Sequence, residues 1–360
     1  MQTSIEVEYW VVDESGELTE PGPLVDVSDN VEEEFVGPLF ELKTPPCETM
    51  AELKREFVGE LANVLAEADR CGKGLVPLGT PINCGPIDQH PGERSHIQEC
   101  VLGENFGYAK YCAGTHVHVE KRNVVDQLNV LIALDPALAL CNSSPYFEGR
   151  PIASSARAYV YRRKCYEQFP KHGQLWEYAD NVGQWNRRLE RRYEEFKDAA
   201  VTEGIDEERV DERFTPDDVV WTPVRLRQEF PTVEWRSPDA TVPSEILRLV
   251  ADLEAVMERL HHTNVSVAGE NGAVTEDGIA LPEFDAVCGL ADEAIIDGLA
   301  SQNVRNYLDR MGFSVADYEP ITDRIAGREH VGPTDACELR RTYADLLARD
   351  VDALLQTADA

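Results

Sequence analysis

Lysine is scarce in this chain: 8 of its 34 basic residues are Lys, the other 26 are Arg, and none follows Lys197. Positive charge of either kind is far outnumbered, since 67 Asp and Glu leave a formal net charge of −33. Such a surface repels a phosphodiester backbone or an anionic lipid face, so nucleic-acid and membrane partners are not expected. Acid-rich and Lys-poor is also the balance of a protein working in concentrated salt, where screening removes self-repulsion, and a halophilic host is inferred. Long apolar runs are missing as well: nothing approaches the roughly 18 residues of a membrane span, and no basic segment opens the chain. The nine cysteines are odd in number, scattered and never spaced CxxC, which argues against a disulfide scaffold or a zinc knuckle. A cytoplasmic protein with reduced thiols is expected. Nor is there a GxxxxGK[ST], a GxGxxG after a strand, an HExxH or a GxSxG, so any phosphate chemistry must rest on carboxylate-held metal ions and arginines.

What is present begins with alternation. Period-two patterns predict strands over 5–13, 35–44, 75–80, 112–119, 221–227 and 232–238, and helical periodicity covers 49–71, 124–140, 175–200, 243–261, 285–300 and 335–355. Ser244 is a candidate opening residue for the fourth helix, and Thr334 or Asp335 for the last. The last two strands, separated by a short turn containing Pro231, predict α+β with an antiparallel sheet rather than a doubly wound fold. No repeat or linker divides the 360 residues, so one catalytic domain is expected. Its least typical parts are an acidic stretch at about 202–218 and a C-terminal helical segment at about 320–360.

Several strands carry polar pairs two residues apart, which places both members on one face. Glu6 and Glu8 are such a pair, His116 and His118 another, Glu234 and Arg236 a third, and Arg225 and Arg227 a fourth. Glu41 lies on the strand closed by Thr44, Pro45 and Pro46. A solvated acidic face, buried histidines or ordinary ion pairs explain each motif taken alone. Together, Glu6, Glu8, Glu41, His116, His118, Glu234 and Arg236 on one sheet face would make a floor for metal and nucleotide. The segment 142–149, rich in Ser and Pro, reads as an ordered loop, and Arg157 beyond it could clamp a carboxylate or simply pair with a surface acid.

In this order, spanning positions 5–239, these segments resemble the carboxylate–amine ligase family that contains the glutamate–cysteine ligases of the second type. The matching residues are Ile5-Glu6-Val7-Glu8 through Val12-Asp13, Glu41 with Thr44, and Gly114-Thr115-His116-Val117-His118-Val119. They continue with Ser144-Pro145, Gly149 and Arg157, and end on Val233-Glu234-Trp235-Arg236 with Asp239. The resemblance implies a glutamine-synthetase-like catalytic domain, its antiparallel sheet bent into a funnel with flanking helices. It further implies ATP and Mg²⁺, with glutamate and cysteine as substrates and γ-glutamylcysteine as product. By the same resemblance Glu6, Glu8, Glu41, His116 and Glu234 are metal ligands. Arg236 and Glu41 act in catalysis, Arg157 and Thr44 contact substrate, and Arg225, Arg227 and His118 serve the nucleotide.

Three positions depart from the family pattern. Val7 stands where a middle acid is usual, Asn142 lies one place early before Ser143-Ser144-Pro145, and Glu120 follows the His pair where Gly is common. The second puts the identity of the substrate in question. Two other classes share the ingredients: a metal-dependent hydrolase, which works without ATP, and a non-catalytic ligand-binding paralogue, which is stabilised by ligand but releases no ADP. The helices at 175–200 and 335–355 are candidates either to pack into the domain or to form a homodimer interface.

Overall fold

A computed structural model of the chain describes residues 1–227, 231–260, 262–269 and 271–357. Its centre is β1 (Thr3–Asp13), eleven residues whose Ile5, Val7, Tyr9 and Val11 are wholly buried. The main sheet adds β2 (Val31–Glu33), β3 (Leu39–Lys43), β4 (Lys73–Val76), β5 (Thr115–Glu120), β6 (Val224–Leu226) and β7 (Thr232–Trp235). The path runs β2-β3-β1-β5-β7-β6, with β4 paired to the far end of β1, and every pairing is antiparallel. The α+β class read from alternation is therefore correct. The connection at 228–230 and the expected last helical position, His261, lie outside the described residues.

Register decides where the polar pairs meet. Glu6 stands opposite His116 and Glu8 opposite Glu41, while His118 faces Glu234 and Glu234 faces Arg225. Because side chains alternate across a strand, a one-residue slip in any of these pairings would send half of the set into the core. Helices α1 (Met50–Arg70), α5 (Pro243–Arg259) and α8 (Pro333–Gln356) pack on one another, and α1 and α8 also meet β4. A contiguous apolar core runs from Ile5 to Val351.

The helix ends follow local chemistry. The Thr49 side chain accepts from the Glu52 amide at 3.2 Å to open α1, and Asn181 accepts from Gln184 at 2.9 Å to open α4 (Val182–Thr202). That cap is why the helix expected from 175 starts seven residues later. The helix expected over 124–140 is likewise two pieces, α3 (Val124–Ala133) and a 3-10 turn Asp135–Cys141, bent by 55° where Pro136 cannot donate to the ladder. Pro243 and Pro333 occupy first-turn positions, so Val242 and Gly332, not Ser244 and Thr334 or Asp335, precede those helices; Ser244 instead bonds Asp350. Among the described residues no single helix is long and apolar enough to cross a membrane, and the bent pair is core.

Further elements escaped the periodicity reading. These include α2 (Glu93–Leu102), α7 (Gln302–Arg310) after α6 (Phe284–Ile296), and a small sheet of Asn264–Val267, Ala273–Val274 and Gly278–Leu281. The acidic stretch forms two short helices, Glu207–Asp211 and Pro216–Val219. Ion pairs Arg209–Glu93, Arg213–Glu93 and Arg94–Asp218 tie it to α2. The apolar faces of α4 and α8, the two candidate dimer helices, are buried within the chain's own fold. All nine cysteines are free.

Candidate active site

The open face of the main sheet lines a cavity of about 870 Å³. Glu6, Glu8, Glu41, Thr44, His116, His118, Arg157, Arg227, Glu234 and Arg236 all reach it, so four strands, the residue after β6 and the segment after the 142–149 loop converge on one space. His116 is the hub. Its Nδ1 lies 3.2 Å from Glu6 and 3.8 Å from both Glu41 and Glu234, and its Nε2 lies 3.9 Å from Glu8.

Three groups of donors lie with their ligand atoms within 4.8 Å of one another: Glu6, Glu41 and His116; Glu6, His118 and Glu234; and Glu8, Glu34 and Glu41. Carboxylate oxygens in such density suit hard divalent cations that retain water and substrate phosphate in their shell. Two buried atoms of these groups make no aligned hydrogen bond among the described residues and have only ion-pair neighbours, His118 Nε2 facing Glu6 at 3.3 Å and Glu234 Oε1 facing Arg236 Nε at 3.1 Å. Three such clusters of carboxylate and imidazole donors on one floor fit a divalent metal. His118, read from the sequence as a nucleotide contact, stands among these donors, 3.3 Å from Glu6.

Electrostatics divides the floor in two. Around Glu234 the field is positive: Arg236 Nε lies 3.1 Å away, Arg227 Nη1 3.3 Å and Arg225 Nη1 3.9 Å. Burial alone would raise the Glu234 carboxyl, but Arg236 and Arg225 pull it down to about 2. Burial likewise opposes ionisation of Glu6, yet hydrogen bonds to His116 and His118 hold it well below the usual range. Burial and Arg236 keep His116 itself low, hence neutral and with a free lone pair for a ligand. On the other side the acids crowd one another. Burial and Glu8 push Glu34 up to about 8, and burial, Glu34 and Glu6 push Glu41 up, against the opposing charge of Lys43, 2.9 Å from Glu41.

The remaining candidates fall in different places. The Thr44 hydroxyl is engaged by the Ile5 amide at 3.0 Å and so ties β3 to β1 at the cavity edge. Arg225 is buried behind Glu234, donates to the Asp217 carbonyl and lines an adjoining pocket of about 170 Å³ rather than the main cavity. Arg157 is 7% exposed; its guanidinium donates to the Ser237 and Arg236 carbonyls at 3.1 and 3.3 Å, and its buried Nε has no hydrogen-bond partner among the described residues. The Asn142-Ser143-Ser144 segment is wholly buried and does not line the cavity, so the departure from the family pattern at Asn142 alters no residue that lines it. Ser143 and Ser155 bond buried Asp239 instead, and Asn142 bonds Ser154 and the Ala294 carbonyl. Burial raises the Asp239 carboxyl to about 6.

Sequence reasoning missed Glu34, which sits in the run Glu32-Glu33-Glu34 where nothing separates it from solvated acids. It also missed an aromatic wall. Phe106 stacks on Trp221 at 5.9 Å, Tyr166 lies 5.7 Å from Trp221, and Tyr161 lies 5.3 Å from Tyr166, all lining the cavity.

Residues 5–306 match the sequence profile of glutamate-cysteine ligase family 2. The chain belongs to that family. Among its relatives, a Chloroflexus aurantiacus protein provisionally named glutamate–cysteine ligase 2 is 27% identical over 275 residues, 71% of this chain and 64% of the relative. A Streptomyces avermitilis protein provisionally named glutamate–cysteine ligase 2-1 is 25% identical over 232 residues, 62% of this chain and 57% of the relative. The match to these family members thus spans less than two thirds of their length. Among solved structures, a bifunctional glutathione synthetase from Pasteurella multocida superposes with a TM-score of 0.56 at 15% identity, covering 99% of this chain and 52% of the other. The expected α+β fold, an antiparallel sheet with flanking helices, is the fold present and is shared with that structure.

Proposed function

We propose that this family member is an ATP-dependent carboxylate–amine ligase that joins glutamate to cysteine through an acyl phosphate, within one catalytic domain. The observation that carries this reading is the pairing on one floor of three hard-donor groups with Arg236 and Arg227 around Glu234. Mg²⁺ held by Glu6, Glu8, Glu34, Glu41, His116, His118 and Glu234 would neutralise phosphate oxygens and orient them for in-line transfer. The glutamate γ-carboxylate attacks the γ-phosphorus of ATP, ADP leaves, and the cysteine amine then displaces phosphate from the acyl phosphate. No protein nucleophile takes part. Arg236, fixed by Glu234, stabilises the charge that gathers on the transferring oxygens. Arg157, which lines the cavity, contacts the substrate carboxylate, and the aromatic wall keeps bulk water from the acyl phosphate.

The decisive experiment measures ADP release by the purified protein in molar KCl with ATP, Mg²⁺ and glutamate, with and without cysteine, followed by mass identification of the product. Cysteine-dependent ADP and a γ-glutamylcysteine mass are expected. ADP dependent on another amine would keep the chemistry and change the acceptor; no ADP with any amine would overturn the ligase reading, leaving hydrolase and sensor.

Two further outcomes are expected. A Cβ on Gly114 would fall 2.0 Å from Arg157 Nη2, so Gly114→Ala displaces a buried guanidinium. Because a shift of about 1 Å at a positioned group can cost about 10²-fold, steady-state kinetics should show kcat/KM for glutamate falling by that order. An unchanged value would remove Arg157 from the substrate site. For the halophilic adaptation we propose, the melting temperature should rise between about 0.1 and 1 M KCl, over which the Debye length shrinks from about 10 to 3 Å. Scanning calorimetry showing a fall over that range would contradict it.

A further inference from the structure

Asp135 is the single charged residue between Asp126 and Glu148, set in the apolar run Leu131-Ile132-Ala133-Leu134-Asp135-Pro136-Ala137-Leu138. It is completely buried, and an isolated carboxylate there would be costly unless fully paired. Pairing is what the 55° bend at Pro136 allows. Arg162 Nη1 and Nη2 grip the two carboxylate oxygens at 2.7 and 2.9 Å, the Ser237 hydroxyl donates to Oδ1, and the Trp235 indole Nε1 lies 3.3 Å from the same oxygen. Arg162 Nη2 also donates to the Ser237 hydroxyl at 2.8 Å, which closes the network.

Trp235 and Ser237 flank Arg236 in sequence. Their side chains anchor to Asp135 while the Arg236 side chain meets Glu234, and the carbonyls of Arg236 and Ser237 are the seat of the Arg157 guanidinium. One buried acid thus fixes backbone 235–237, and through it Arg236 and Arg157, two of the arginines that line the cavity. We infer that Asp135 is a positioning residue of the active site, setting the aim of Arg236 and the seat of Arg157 without touching substrate. The functional part of this rests on the ligase reading above; the geometric part does not.

The test uses the full chain in molar KCl with two variants. Asp135→Asn keeps the shape but loses the charge that holds Arg162. Ser237→Ala removes one hydroxyl and leaves the Asp135–Arg162 pair, so it decides alone if Asp135→Asn does not fold. For a folded variant, kcat should fall and the glutamate KM rise, together about 10²-fold for Asp135→Asn and about tenfold for Ser237→Ala, with the ATP KM changing least. A purely structural residue would lower the melting temperature and leave both constants unmoved below the melt. Crystal structures of the variants supply a readout free of turnover, in which Arg157 leaves the 236 and 237 carbonyls. Wild-type kinetic constants in folded variants, or kinetic losses with both arginines undisplaced, overturn the inference. If the wild type forms no ADP with any amine, the ligase reading falls while the arginine displacement still decides the positioning claim, and undisplaced arginines then overturn it.

Discussion

Glu234→Gln is expected to lower turnover by about 10³-fold with the fold retained, because one substitution removes a metal donor and the counter-charge of three guanidinia. Gln is nearly isosteric and can still occupy a strand position only 1% exposed. What it cannot do is offset Arg225, Arg227 and Arg236, and breaking a buried pair by removing one partner typically costs about 3–5 kcal/mol. A melting temperature lowered but still above the assay temperature should accompany the lost ADP release. Since the carboxyl sits near 2, it is ionised at any working pH, so no adjustment of pH should restore the variant. Wild-type turnover in this variant would sink the assignment of Glu234 as a metal ligand.

Arg236→Lys keeps the charge and changes its shape, and should reduce kcat by about 10²- to 10³-fold while disturbing ATP binding much less. The guanidinium uses Nε for Glu234 at 3.1 Å and leaves a buried Nη1 without a hydrogen-bond partner among the described residues. A planar fork can face a carboxylate with one edge and a phosphate with the other; an ammonium has no second edge at a fixed angle. Single-turnover kinetics separate the two effects: phosphoryl transfer should slow while the ATP concentration for half saturation moves little. A raised ATP KM with unchanged kcat would make Arg236 a binding contact only.

The floor of the site was legible because strands print their geometry in sequence. Glu6 with Glu8, His116 with His118 and Glu234 with Arg236 each declare a shared face by their spacing of two, and that face does line the cavity. Register and curvature are not printed. That Glu8 stands opposite Glu41 follows from a pairing of β1 with β3 that spacing within either strand does not reveal, and that Arg225 lies behind Glu234 rather than at the cavity is set by how β6 sits beside β7. Glu34 was hidden for a different reason: in a chain with 67 acids, one that folds inward looks like those that do not. The Ser143-Ser144 loop misled in the opposite direction, because residues that often make exposed turns here satisfy buried Asp239. Asp135 carried a signal, one acid alone in an apolar run and followed by Pro136, and only the bend showed what it was for.

The pairings that bring the floor together also set when it can exist during synthesis. Glu6 meets His116 across 110 residues, and His118 meets the strand of Glu234 across 116. Contacts of such sequence separation form late, after loop closure has been met by other interactions. On the ribosome, β1 therefore emerges with its acids in place and waits for more than two hundred residues before the last strand arrives. Its β-branched edges stay open to other chains meanwhile, without the partners of a finished sheet.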